Sequence, residues 1–100
     1  MTVNINKTVN GNQLEIALEG RLDTSTAPTL ETELNGSLAG IEKLVLDFSL
    51  LDYLSSAGLR VLLGAQKIMN KQGKMIVRNV NETIMEIFEV TGFCDVLTIE

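Results

Sequence analysis

The chain has 100 residues, enough for one small folded domain, and 45% of them are hydrophobic against 21% charged, which excludes a disordered chain. Its net charge of −5 argues against a general nucleic-acid surface, which needs a basic patch to displace counterions, and against attachment to anionic membranes. Histidine is absent, which removes the usual general base, the usual serine or cysteine triad and most zinc sites.

The opening segment MTVNINKTVNGNQ is polar and has no apolar signal core, and no apolar run reaches the ~18 residues of a membrane span. The single Cys94 has no internal disulfide partner. These features predict a cytoplasmic protein. Scarce aromatics and the lack of Trp predict an aliphatic core of Leu, Ile, Val and Met.

The stretch VNINKTVNGNQLEIALEG predicts a β-hairpin. Val3, Ile5 and Val9 mark its first strand, and Asn10, Gly11 and Asn12 form a strong turn signal because Asn and Gly tolerate positive φ. The second strand alternates, with Leu14, Ile16 and Leu18 facing one way and Glu15, Ala17 and Glu19 the other, as in a strand with one buried face. Asp23, Thr24, Ser25 and Thr26 are all capping residues, and Pro28 suits a first helical turn. They predict a helix with Ala27, Leu30, Leu34 and Leu38 on its buried side, which Gly36 is expected to end early or weaken.

Leu44, Val45 and Leu46 are consecutive and apolar, the pattern of a strand covered on both faces, and Asp47 is expected to end it. A long amphipathic helix follows in the segment DYLSSAGLRVLLGAQKI. Its apolar face carries Leu59, Leu62, Leu63 and Ile68 or Met69, and its polar stripe Arg60, Gly64, Lys67 and Lys71. The run from Met75 to Val77 repeats the continuous-strand pattern. Asn81 offers a cap for a helix with Ile84, Ile87, Phe88 and Thr91 on one face, Gly92 offers a stop, and VLTI supplies a short last strand. The predicted fold is a single α/β domain over residues 1–100, a mixed sheet of about five strands with three or more helices in the order β-β-α-β-α-β-α-β.

Sheets of this kind work beyond the carboxyl ends of their parallel strands, where Asp23, Asp47, Asp52, Ser55 and Ser56 are expected to gather. Two serines followed by the two smallest residues, Ala57 and Gly58, have two readings. In the first, Ser55 is a helix cap, Ser56 and Ala57 are small first-turn residues, and Gly58 allows close helix–sheet packing. In the second, something must come close to a serine hydroxyl. A phosphate on Ser56 would sit at a helix N-terminus, where free N–H groups and the helix dipole favour negative charge, and Arg60 shares its helical face. Asp23 reads as a cap of the first helix rather than as a catalytic acid. Lys67 and Lys71 read as a solvated face, and Cys94 as a small buried residue. A magnesium-binding receiver pocket is disfavoured, because no acidic pair follows the first strand. An enzyme with Ser56 as nucleophile lacks a placed base.

The segments EGRLDTSTAP, LVLDFSLLDYLSSAGLRVLL and VTGFCDVLTI resemble the bacterial anti-sigma factor antagonists, which are stand-alone STAS domains. The resemblance spans nearly the whole chain. It rests on Gly-x-Leu-Asp from Gly20 to Asp23, Asp-x-Ser from Asp47 to Ser49, Ser-x-Gly-Leu from Ser56 to Leu59, and the late Thr91 and Gly92. Each motif alone is weak, but in this order and at these spacings they are specific.

The resemblance implies a function in partner switching. The unmodified antagonist binds an anti-sigma factor that is itself an ATP-using serine kinase, and binding frees a sigma factor. The kinase phosphorylates one serine of the antagonist and the complex falls apart. A metal-dependent serine phosphatase restores the active form. The motif assigns the acceptor to Ser56, two residues before the glycine. Ser55 stands where many members carry Asp, so it offers a second hydroxyl as the alternative acceptor, and Ala57 replaces a frequent Ser or Thr. Asp23, Thr24, Ser55, Ala57, Gly58 and Arg60 are the expected partner contacts. No catalytic residue, cofactor or metal is expected, nor any direct nucleic-acid or membrane contact, and the free protein is expected to be a monomer. The alternative role on the same fold is a STAS subunit that regulates a transporter or a stress-signalling assembly without a sigma factor.

Overall fold

A two-residue turn at Gly11 and Asn12 joins β1 (Val3–Asn10) to β2 (Gln13–Leu22), as the Asn-Gly-Asn signal predicts, in a computed structural model that describes residues 3–100. Then come α1 (Ala27–Ser37), β3 (Lys43–Leu54), α2 (Ser56–Gln72), β4 (Lys74–Arg78), α3 (Glu82–Thr91), a 3-10 turn at Phe93–Asp95 and β5 (Thr98–Ile99). The element order is the predicted one.

The strands lie side by side in chain order, with β1 antiparallel to β2 and every later pair parallel. Each helical crossover therefore steps one strand in the same direction. Right-handed crossovers that step one way stack their helices on one face of the sheet. The core agrees: Leu14, Ile16, Leu18, Leu44, Leu46, Phe48 and Val77 of the sheet form one cluster with Leu30 and Leu34 of α1, Leu62 and Met69 of α2, and Ile84 and Phe88 of α3. Phe48 and Phe88 meet with ring centroids 6.4 Å apart, which docks α3 on β3.

The run through Val45 differs from expectation. Helices cover one face of the strand, not both. Val45 and Ile76 are buried outside the main cluster and lie opposite each other in the β3–β4 register, with Glu15 of β2 on the other side of Val45. Mid-strand side chains at the centre of the sheet are shielded by their cross-strand neighbours.

Further expectations are corrected. Gly36 does not end α1, which runs on to Ser37. Asp47 does not end the third strand, because β3 continues through Asp52 to Leu54. It is β4 that stops, at Arg78 opposite Asp47. Beyond that point β3 pairs with β2 alone, and the register shifts twice, between Ala17 and Glu19 and between Gly20 and Arg21. Bulges of this kind place extra residues on one strand and bend it, which breaks the period-2 pattern in FSLLDYL. Cys94 is exposed rather than buried, because it lies in the surface 3-10 turn after α3.

The caps of α3 match the sequence. The Asn81 side chain accepts from the Ile84 N–H at 2.9 Å, and Gly92 closes the helix in the left-handed region at φ 80°. Asn81 also donates its amide to the Leu51 carbonyl at 2.9 Å, which ties α3 to the end of β3 that β4 does not reach. Among the described residues, no helix is long and apolar enough to cross a membrane.

Candidate partner-binding and modification site

The carboxyl ends of β2 and β3 bring the two sequence motifs together. Leu22 pairs with Leu54, and the Ser55 N–H donates to the Leu22 carbonyl at 2.9 Å. The Asp23 loop and the start of α2 are therefore neighbours.

The Asp23 loop is built by its own short polar side chains. Asp23 Oδ1 accepts from the Ser25 hydroxyl at 2.7 Å, the Ser25 N–H at 3.0 Å and the Thr26 N–H at 3.2 Å. Thr26 Oγ1 accepts from the Asp23 N–H at 2.8 Å and donates to the Arg21 carbonyl at 2.7 Å. The Ser25 hydroxyl leads in holding the Asp23 carboxyl below the usual carboxylate range; burial opposes it, and the backbone N–H groups add to it. Asp23 is half-buried and shapes the loop, whereas Thr24 stands exposed at its tip.

The serine pair divides its labour. Ser55 is the N-cap of α2, half-buried, and its hydroxyl accepts from the Gly58 N–H at 3.4 Å. Ser56 is the first helical residue, is exposed, and its hydroxyl has no hydrogen-bond partner among the described residues. Ala57 is half-buried and faces α1 across a groove of about 280 Å³ lined by Thr24, Ala27, Pro28, Glu31, Ala57, Arg60 and Val61. Arg60 is exposed on the rim of that groove.

Of the two readings of Gly58, close packing and partner contact, its burial fits the first: a Cβ there would stand 2.6 Å from Leu54 Cδ1 and 3.0 Å from Leu22 Cγ. Gly58 lets α2 sit down on the ends of β2 and β3, so it supports the surface from beneath.

The structure adds residues that the sequence reading missed. The Arg21 guanidinium lies over the Tyr53 ring at 4.3 Å, with its Nε buried and 3.7 Å from Asp23 Oδ2. Leu50 is 60% exposed on the bulged part of β3. The irregular spacing of apolar residues in FSLLDYL was the available signal. Asp47 lies below the serine end: burial pushes its carboxyl pKa up, but the Ser49 N–H at 2.9 Å and the Asn79 amide at 3.1 Å outweigh this and hold it below the usual range.

No three His, Cys, Asp or Glu side chains converge as a metal site among the described residues. The exposed Ser56 hydroxyl has no hydrogen-bonded base among them either.

Known proteins share this architecture. The STAS domain profile matches residues 4–100. BtrV of Bordetella bronchiseptica, named provisionally as an anti-sigma factor antagonist, is 37% identical over 84 residues, covering 82% of this chain and 72% of its own. The anti-sigma-B factor antagonist of Bacillus subtilis is 28% identical over 100 residues, covering 99% of this chain and 92% of its own. Among solved structures, the Bacillus anti-sigma factor antagonist SpoIIAA superposes in its unphosphorylated form with a TM-score of 0.77 at 17% identity, over 97% of this chain and 87% of that one. Its phosphorylated form gives a TM-score of 0.76 at 18% identity, over 97% and 91%. The chain is a member of the STAS domain family.

Proposed function

We propose that this protein is an anti-sigma factor antagonist that works by partner switching, with Ser56 as the phosphate acceptor. Unphosphorylated, it binds an anti-sigma factor serine kinase and so releases a sigma factor. Phosphorylation of Ser56 by that kinase ends the complex, and a serine phosphatase resets it. The observation that carries this reading is the division between the serines: Ser56 is exposed at the first position of α2 with no hydrogen-bond partner among the described residues, while Ser55 serves as its cap. The curated relatives, which are named as antagonists of anti-sigma factors, support the regulatory rather than enzymatic role.

The physics of the switch needs no change of fold. A phosphate adds about −1.5 to −2 charge at neutral pH. At the start of α2 it faces free N–H groups and the positive end of the helix dipole, so the helix tolerates it. Inside a close-fitting interface the same charge meets desolvation and like charge. The contact surface in this reading comprises Thr24 and the Asp23 loop, Ser55, Ala57 and Arg60.

The test is reconstitution with ATP and each candidate anti-sigma kinase from the same genome, followed by phosphosite mapping and co-elution. Phosphate on Ser56 that abolishes co-elution supports the switch. Phosphate on Ser55 keeps the mechanism and moves the acceptor. No complex and no phosphate with any such kinase rejects it, in favour of a STAS subunit that regulates a transporter or stress-signalling assembly.

A further inference from the structure

Two arginines stand at the serine end of the molecule, and they differ in what holds them. Arg21 is stacked on Tyr53 and lies beside Asp23. Arg60 is exposed, forms no ion pair among the described residues, and rims the groove between α1 and α2, which Glu31 also lines. Residues four apart sit about 40° apart round a helix, and long helical side chains lean back toward the N-terminus over the residue four positions earlier. On α2 that residue is Ser56.

We propose that Arg60 is the intramolecular counter-ion of phosphorylated Ser56. The guanidinium presents parallel N–H groups that match two phosphate oxygens. Once it turns to the phosphate, Arg60 leaves the groove rim, and among the described residues Glu31 remains as the charged side chain lining that groove. Phosphorylation then alters two places at once: it places charge at Ser56 and converts the neighbouring groove from balanced to negative. The inference rests on reading Ser56 as the acceptor, but its test does not depend on any kinase.

The test uses the full chain with phosphoserine incorporated genetically at Ser56. The phosphate is titrated by phosphorus NMR in the wild-type background and in Arg60→Gln and Arg60→Lys. An unpaired phosphoserine has a second pKa of about 6. With Arg60 present, the phosphate should titrate roughly 0.3 pH unit lower than in Arg60→Gln, the shift expected of an i,i+4 ion pair of ordinary strength. Arg60→Lys should recover part of the shift, and about 1 M salt should erase it. Coincident titrations of the wild-type and Arg60→Gln phosphoproteins would overturn the proposal, as would a difference that persists undiminished in high salt. Failure of every kinase to modify Ser56 would instead reject the proposed function and leave this titration as it stands.

Discussion

The Ser55 N–H donates to the Leu22 carbonyl at 2.9 Å, so the cap of α2 is bonded to the last residue of β2. Two motifs more than thirty residues apart in sequence become one surface through this bond. A partner that reaches Ser56 meets the Asp23 loop on the same rigid footing.

Ser56→Asp is expected to weaken binding to the kinase partner at least tenfold, about 1.4 kcal/mol, while the thermal midpoint stays close to wild type because the new charge faces a helix N-terminus. Ser56→Ala should bind and resist dissociation by ATP. Calorimetric titration and thermal melting separate the two effects. An unfolded Ser56→Asp variant would mean that the serine is structural.

Ser55→Ala removes a cap and should cost about 0.5–1 kcal/mol of stability, at the low end for N-caps because the Gly58 N–H to hydroxyl distance is a long 3.4 Å. Phosphate incorporation at Ser56 should persist. Urea unfolding together with phosphosite mapping checks both parts, and loss of Ser56 modification alone would assign Ser55 a direct part in kinase recognition.

Gly58→Ala forces a methyl group toward Leu54 and Leu22. Overpacking of a buried site costs about 1–3 kcal/mol, and the helical preference for Ala over Gly returns about 1 kcal/mol. A net loss of about 1 kcal/mol in denaturant unfolding is expected, and a stabilised variant would contradict the close packing described.

Asp23 and Asp47 predict a specific acid limb. Both carboxyls titrate below the usual carboxylate range, Asp23 chiefly through the Ser25 hydroxyl, and Asp47 because burial, which raises its pKa, is outweighed by hydrogen bonds from Ser49 and Asn79. A carboxyl with a lower pKa in the folded state binds fewer protons there than in the unfolded chain, so stability rises with pH across that window. Its contribution is complete above the unfolded value and is lost as pH falls through the folded one. In unfolding curves from about pH 7 to about pH 2.5, the double variant Asp23→Asn, Asp47→Asn should show a flatter acid limb than wild type. Parallel limbs would show that these carboxyls do not drive the dependence.

Much of this was legible in the sequence because local chemistry agreed with global packing. Asn81 and Gly92 bound α3 as their capping preferences require, and the alternation of Leu14, Ile16 and Leu18 faces the core. The serine motif stood out because it combines a cap residue with the smallest side chains. What was not legible depends on neighbours. Asp47 looks like a strand end because an acidic residue follows three apolar ones, but the strand continues through its pairing with β2, which no local pattern encodes. Val45 looks doubly covered because it is apolar, but its shielding comes from Glu15 and Ile76, residues distant in sequence. Gly58 carries two readings in the sequence, partner surface from its motif and close packing from its size, and only Leu22 and Leu54 beneath it decide for packing.

The two register shifts have a consequence for how this segment can vary. From Ala17 to Leu22, β2 advances five residues, while its partner advances seven, from Asp47 to Leu54. The surplus is stored as slack in β3, so the chain arrives at Ser55 in the right phase to cap α2. Deleting a single residue between Ser49 and Asp52 would use up half of that slack and turn the following side chains to the opposite face. The length of this short stretch, more than its composition, therefore keeps Ser56 exposed at the first turn of α2.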